Sequence, residues 1–318
     1  MHEYIAKRLA LFIPTILLVT IIVFVVMRLV PGDPAIAILE GEGGGSYTQK
    51  DLDTLRHRLG TDRPIVVQYF SWIGGAARGD FGDSLWFNAP VMTELKSRIP
   101  VTIELAVMAI LLAVVTAVPL GVLSAVKPNS KLDYGARVFS LTGIALPSFF
   151  SAILLILLLV KVFGWLPPLG YETLWEGPVT NLQQMVFPAL ALAFYDMAFI
   201  TRVTRSSMME ILREDYMRTA RSKGLAERVV LLRHGLKNAF LPVLTISGWQ
   251  FGRLFGGTVI IETIFLVPGI GRILIESISH RDFTMIQAVI VIIGVAIVTI
   301  NLLVDLLYGW LDPRIRYA

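Results

Sequence analysis

The chain has no cysteine, and only 16% of its 318 residues carry charge. The first absence removes disulfides, thiolate metal sites, iron-sulfur clusters and a cysteine nucleophile, while leaving the compartment open. The second sets the chain apart from an ordinary soluble domain, in which about 25% of residues are charged. No G-x-x-x-x-G-K-[ST] loop occurs, so nucleotide phosphates cannot be cradled by that route and any use of ATP has to be borrowed. H-E-x-x-H and G-x-S-x-G are also missing, and His2, His57, His234 and His280 are too scattered to form a metal cluster. The expectation is a chain with no catalytic residues, no metal and no cofactor of its own.

What is present is apolar sequence. Hydrophobic residues make up 55% of the chain and the mean hydropathy is +0.70. The apolar runs are unbroken rather than alternating, which implies membrane helices and not a barrel. About 20 residues cross a hydrocarbon core, and six segments qualify, roughly 9–29, 101–126, 137–163, 185–205, 239–265 and 284–308. Pro119 and Pro147 should kink the second and third. Lys7 and Arg8 precede the first run, which lacks a nearby small-x-small cleavage site and reads as a retained span. Placing these two inside puts Lys127, Lys131, Arg137, the long basic loop after the fourth span, Arg314 and Arg316 inside as well. Both termini are then expected in the cytoplasm. The net charge of +4 is topogenic on this reading, and no nucleic-acid partner is implied.

The segments divide the chain into residues 1–29, an extracytoplasmic insert at 30–99, and a five-span core at 100–318 with a cytoplasmic loop at 209–238. The insert opens on Pro31, Gly32, Asp33 and Pro34, which stop a helix. It continues through a flexible tract at Gly41–Gly45, and Thr48–Leu59 reads as a short helix. Tyr69, Phe70, Trp72, Phe81, Trp86 and Phe87 follow. They suit interfacial anchoring at the lipid bilayer or a docking surface.

Glu104, Asp196, Arg253, Glu262, Asn301 and Asp305 are the polar residues singled out at membrane depth. Such groups face a bundle interior or a water-filled path because lipid-facing charge is costly. Glu104, Glu262 and Asp305 lie near span ends, where snorkelling or interface solvation explains them. Asp196 and Arg253 lie deeper, and are expected to pair or to line one cavity. Gly248, Gly252 and Gly256 share one helix face, so a neighbouring backbone can approach closely, from this subunit or from a second one.

Asp215–Asn238 sets Arg218, Arg221, Lys223, Arg228, Arg233 and Lys237 against Asp215 and Glu227 between two spans. Leu225, Val229, Leu232, Leu236 and Phe240 recur at helical spacing and should pack the segment onto the spans. Gly224 can end one helix in the left-handed conformation and start the next. A helix, bend, helix element at the cytoplasmic mouth suits docking to a soluble partner.

This segment resembles the coupling loop of binding-protein-dependent ABC importer permeases, E-A-A, three residues, Gly, nine residues, I-x-L-P. With Gly224 in register, Arg218, Thr219 and Ala220 fall on E-A-A, His234 on Ile, Leu236 on Leu and Lys237 on Pro. The departures match the dipeptide, oligopeptide and nickel branch, where R-T-A-R-x-K-G-L and H-x-L-[RK]-N-A are usual. Further matches run along the chain: LVPGDPA from Leu29, LGTDRP from Leu59, GDFGDS from Gly79, Pro147–Phe149, GGTVIIE from Gly256, PGIG from Pro268 and a D-P-R-I-R end within Asn301–Arg316.

The resemblance implies an all-α, six-span type I importer permease in a bacterial inner membrane. It also implies a related second permease, two ATP-binding subunits that hold the ATP and Mg, and an extracytoplasmic substrate-binding protein. Asp215, Arg218, Thr219, Ala220, Gly224, Leu225, His234 and Asn238 would then form the ATPase-coupling element. Peptides or peptide-like solutes are the expected cargo, with nickel complexes, glutathione or oligosaccharides as alternatives. Outside the resemblance, an ion-coupled secondary transporter would use Asp196 or Glu104 as its ion site. A purely structural membrane subunit is the third reading.

Overall fold

The computed structural model describes residues 2–30, 32, 35, 36, 39, 47–84 and 86–311. The expected stop at Pro31, Asp33 and Pro34, the tract Gly41–Gly45, and Arg314 and Arg316 lie outside the described residues. Helix α1 spans His2–Leu29. In the insert come α2 at Gln49–Leu59, α3 at Ile65–Ala76 and a two-residue hairpin, β1 (Asp83–Ser84) against β2 (Ala89–Pro90). The core holds α4 (Val91–Val126), α5 (Lys131–Ala145), α6 (Ser148–Phe163), α7 (Pro178–Ile211), α8 (Asp215–Ser222), α9 (Glu227–Ile264), α10 (Ile270–Ser279) and α11 (Phe283–Leu311).

Cross-helix contacts fix the directions of these elements. Glu104 of α4 meets Asn181 of α7 at one end, and Gly121 faces Thr204 at the other, so α4 and α7 run parallel. Helix α9 runs against both. Its start is tied to α8 through Asn238 and Tyr216, and its end to the start of α4 through Glu262 and Thr102. Arg8 pairs with Asp305 at 2.8 Å and Arg28 reaches Gln287 at 3.1 Å, so α1 and α11 are antiparallel. The Arg8 end lies level with the start of α9, because Gly248 packs on Val304 of α11.

The third span differs from expectation. A single helix kinked at Pro147 was expected, but the chain breaks into α5 and α6, bent by 113°. Proline lacks the amide donor a continuing helix needs, and Leu146 before it is extended at ψ 127°. The broken pair still crosses. Asp133 meets Arg205, Gly143 meets Ala198, Ser151 meets Ala191 and Trp165 meets Phe187, an ordered series along α7 from Arg205 back to Phe187.

Small residues let these helices approach. Ala106, Ala109, Ala113 and Ala117 of α4 and Ala189, Ala191, Ala193 and Ala198 of α7 are buried. Packing and polar contacts drive association in lipid, since acyl chains are as apolar as leucine. A Cβ on Gly121 would lie 2.6 Å from Thr204, so this crossing tolerates nothing larger. On the α1 side, α3 leans along the C-terminal part of that helix. Tyr69 bonds Thr20 at 3.0 Å, while Tyr69 and Trp72 pack on Phe24. Of the remaining insert aromatics, Phe70 is exposed and Trp86 stacks on His280 at 3.4 Å.

Candidate functional site

Two regions gather the residues singled out above. The first is the element at 215–238. Helix α8 buries Met217 and Ala220 against Val230, with Ile211 and Leu212 beside them, and leaves Asp215, Arg218 and Thr219 exposed. Arg218 lies 3.4 Å from Asp215, both side chains at least 74% exposed. Such a pair is worth little for stability and leaves both charges available to a partner. Gly224 takes φ 74°, and a side chain there would meet nothing within 4 Å. The residue is set by backbone conformation and not by space. Across that turn Arg221 donates to Glu227 at 3.0 and 3.2 Å, which raises the guanidinium above its usual range and ties the two limbs together.

A π-helical stretch at Val230–Leu236 follows. Gly235 lies against the Met208 and Met217 methyls, where an added Cβ would come within 3.3 and 3.4 Å. Asn238 donates to Tyr216 at 2.9 Å and to the His234 carbonyl at 3.2 Å.

Of the expected apolar stripe only Leu236 packs onto the spans. Leu225, Val229, Leu232 and Phe240 are 36–49% exposed, while Val230, Gly235 and Ala239 are buried instead. A π turn takes one more residue than an α turn, so the face drawn at regular α spacing rotates away from the bundle. The base is nevertheless firmly seated. Met208, Ala125 and Ala239 form one cluster with Leu231 and Leu236, joining α7, α4 and α9. Beside it Asp133, wholly buried, accepts from Arg205 at 2.6 and 3.0 Å, Arg137 at 2.6 Å, Ser124 at 2.6 Å and the Asn129 amide at 2.9 Å. Sequence reasoning missed this knot. The Ser130-x-x-Asp133 start of α5 was the available signal.

The second region is at mid-bundle. Arg253 Nη2 donates to Asp196 Oδ1 at 2.7 Å, and Gln250 Nε2 donates to the same oxygen at 2.6 Å. Arg253 Nε donates to Gln250 Oε1 at 3.1 Å. Asp196 is fully buried, whereas the Arg253 side chain is 42% exposed. Arg202 and Gln250 were not singled out from sequence, although both lie inside the expected spans. The Gly stripe divides: Gly248 faces Val304 and Gly252 faces Asn301 of the same chain, while Gly256 has nothing within 4 Å.

Glu262 requires a correction. It does not snorkel; it is fully buried and accepts from Thr102 Oγ1 at 2.6 Å and from the amides of Gly271 at 2.7 Å and Arg272 at 3.1 Å. The carboxylate satisfies the open amides at the start of α10 and bolts that helix to α4 and α9. Glu104 is likewise engaged, by Tyr171 at 2.6 Å and Asn181 at 2.7 Å. Burial, together with that carboxylate, lifts the Tyr171 phenol above its ordinary range.

Five membrane-length helices and one bent pair, with a basic helix-turn-helix element packed against one end, make an integral membrane subunit. The chain belongs to the family described as binding-protein-dependent transport system inner membrane component, which matches residues 117–317, with that family's N-terminal region matching residues 1–106. It is 40% identical over 320 residues to the oligopeptide transport system permease protein AppB of Bacillus subtilis, covering 100% of both chains. A dipeptide transport system permease protein, DppB of Alkalihalophilus pseudofirmus, is 40% identical over 337 residues, and a putative peptide transport system permease protein of Brucella abortus 40% over 317, again with 100% of each chain covered. A crystal structure of an amino acid ABC transporter with histidines shares the fold at TM-score 0.50 and 17% identity, over 71% of this chain and 94% of that one.

Proposed function

We propose that this chain is one permease subunit of an ATP-driven importer that moves peptides or peptide-like solutes delivered by an extracytoplasmic binding protein. The observation that carries the reading is the 215–238 element, whose outer face is exposed and charged while its base is packed into the ends of α4, α7 and α9. The full-length relatives named for peptide, dipeptide and oligopeptide transport support the cargo class.

The partners are a second, homologous permease, two ATP-binding subunits that carry ATP and Mg, and the external binding protein, all in or at a bacterial inner membrane. Asp215, Arg218, Thr219, Ala220, Gly224 and Leu225 lie in the docked segment; His234 and Asn238 belong to its return limb. Closure of the ATPases pushes α8, and the push passes through Met217, Val230 and Met208 into the bundle. Stiffness makes this possible, because a packed junction transmits displacement where a loose loop would absorb it. Both termini lie with the coupling element on the cytoplasmic side, a placement supported by the Arg8–Asp305 pair at that end. The insert lies at the opposite end, where the binding protein docks.

Reconstitution of the four-subunit complex in proteoliposomes tests the reading. Peptide uptake should require both internal ATP and external binding protein. Uptake by this chain alone on an ion gradient would replace the proposal with a secondary transporter.

A further inference from the structure

Four side chains on one open face of the bundle form a column of cation, ring, ring and cation. The Arg253 guanidinium lies 4.3 Å from the Tyr195 ring centroid. Tyr195 and Phe199 are parallel to within 8° at 6.1 Å, and Arg202 lies 5.2 Å from the Phe199 centroid. Arg202 and Arg253 are both exposed. Arg253 sits about 16 Å along the helix from the outer end of α9 at 1.5 Å per residue, and the column descends α7 toward the cytoplasmic element. Guanidinium groups at this depth do not face acyl chains, so the face looks onto water or another polypeptide. The exposed stripe of α9 agrees, since it carries Thr245, Trp249, Arg253 and Gly256.

The cluster behind Arg253 is incompletely satisfied. Asp196 and Gln250 take Nη2 and Nε, and Tyr195 covers a face of the guanidinium. Nη1 has no hydrogen-bond partner among the described residues. Asp196 Oδ2 is buried and also without a partner, and as an acceptor it calls for a donor such as water rather than for an anion. The Arg253 side chain is 42% exposed, so Nη1 opens onto this face as a donor free to meet a ligand. The open donor edge is shaped for a planar anion, and the ring and counter-charge hold it in one orientation. The Asp196 charge also offsets that of Arg253, so an anion held there is released again, as a path requires.

We propose that Arg253, seated on Tyr195 and braced by Asp196 and Gln250, is a carboxylate-binding site on the translocation path that reads the free C-terminal carboxylate of peptide substrates, with Arg202 the next station inward. The inference rests on the peptide-importer reading above. It predicts that the permease itself, and not only the binding protein, discriminates peptide acids from peptide amides.

The test uses the full complex in proteoliposomes, with binding protein saturated either with a tripeptide or with its C-terminal amide, and uptake expressed per bound peptide. The wild-type complex should carry the acid about tenfold faster, the scale of one charge-assisted hydrogen bond. Arg253→Gln should bring the acid-to-amide ratio close to one, whatever it does to uptake of both peptides through the buried Asp196 charge; Arg253→Lys should recover only part of the preference. If Arg253→Gln fails to assemble, the double variant Asp196→Asn with Arg253→Gln removes both charges and serves in its place. A wild-type ratio near one, or a ratio that survives the substitutions, would overturn the inference while ATP-driven uptake persists. A wild-type complex that moves neither peptide with ATP and binding protein would instead sink the functional reading beneath it.

Discussion

Buried carboxylates in this bundle differ in what removing their partners costs. Glu262 holds one hydroxyl of α4 and two backbone amides of α10. Glu262→Ala strands those donors and should cost about 3 kcal/mol, read as a fall in the thermal midpoint of the detergent-solubilised subunit. Glu262→Gln keeps one acceptor oxygen and should lose less. Asp196 is the other case. Arg253→Ala leaves a carboxylate buried without its cation, a loss of about 3 kcal/mol or more. The neutral double variant Asp196→Asn with Arg253→Gln should regain most of it. Exchanging the two charges is not expected to work, because position 196 is fully buried and an arginine there has no room. The depth of the two residues was legible from their positions in the spans; Gln250 between them was not, since an uncharged amide stands out little in an apolar run.

Among the elements, the Gly224 hinge makes the clearest demand on its residues. Gly224→Val puts a β-branched side chain at φ 74°, a region costing about 1–2 kcal/mol for an L-residue. The space around it is open, so assembly should survive while ATP-dependent uptake is lost. Normal complex on size exclusion with absent uptake is the expected result. The exposed stripe gives a second test at this scale. Leu232→Ser should leave the thermal midpoint of the isolated subunit unchanged and weaken its co-purification with the ATP-binding subunits. A fall in midpoint would instead place Leu232 in the chain's own core. The hinge glycine, the basic face and the two limbs could all be read from residues 215–238. The π stretch could not, because the extra residue per turn arises where Gly235 lets Met208 and Met217 press close, a tertiary effect. Likewise Pro147 announced a kink, but a bend of 113° depends on what α6 packs against.

For the whole molecule, hydropathy located the spans because a bilayer requires about 20 apolar residues per crossing. It could not say which spans touch. The parallel pairing of α4 with α7 rests on alanines and on Gly121 beside Thr204, small residues that look alike in any apolar run. The Gly stripe shows the same limit. Its lower two positions pack on α11 within the subunit and Gly256 stays open, so Gly248→Leu should disturb folding of the isolated chain and Gly256→Ala should not. Measuring both thermal midpoints separates a contact inside the subunit from one outside it.

The absence of cysteine makes the central claim directly measurable. With Arg218→Cys as the only thiol in this chain, a short bifunctional crosslinker applied to the assembled complex should join it to an ATP-binding subunit, with a yield that changes when ATP is bound. Labelling of that thiol by an impermeant reagent from outside the cell, or no crosslink to the ATP-binding subunit in any nucleotide state, would contradict the account.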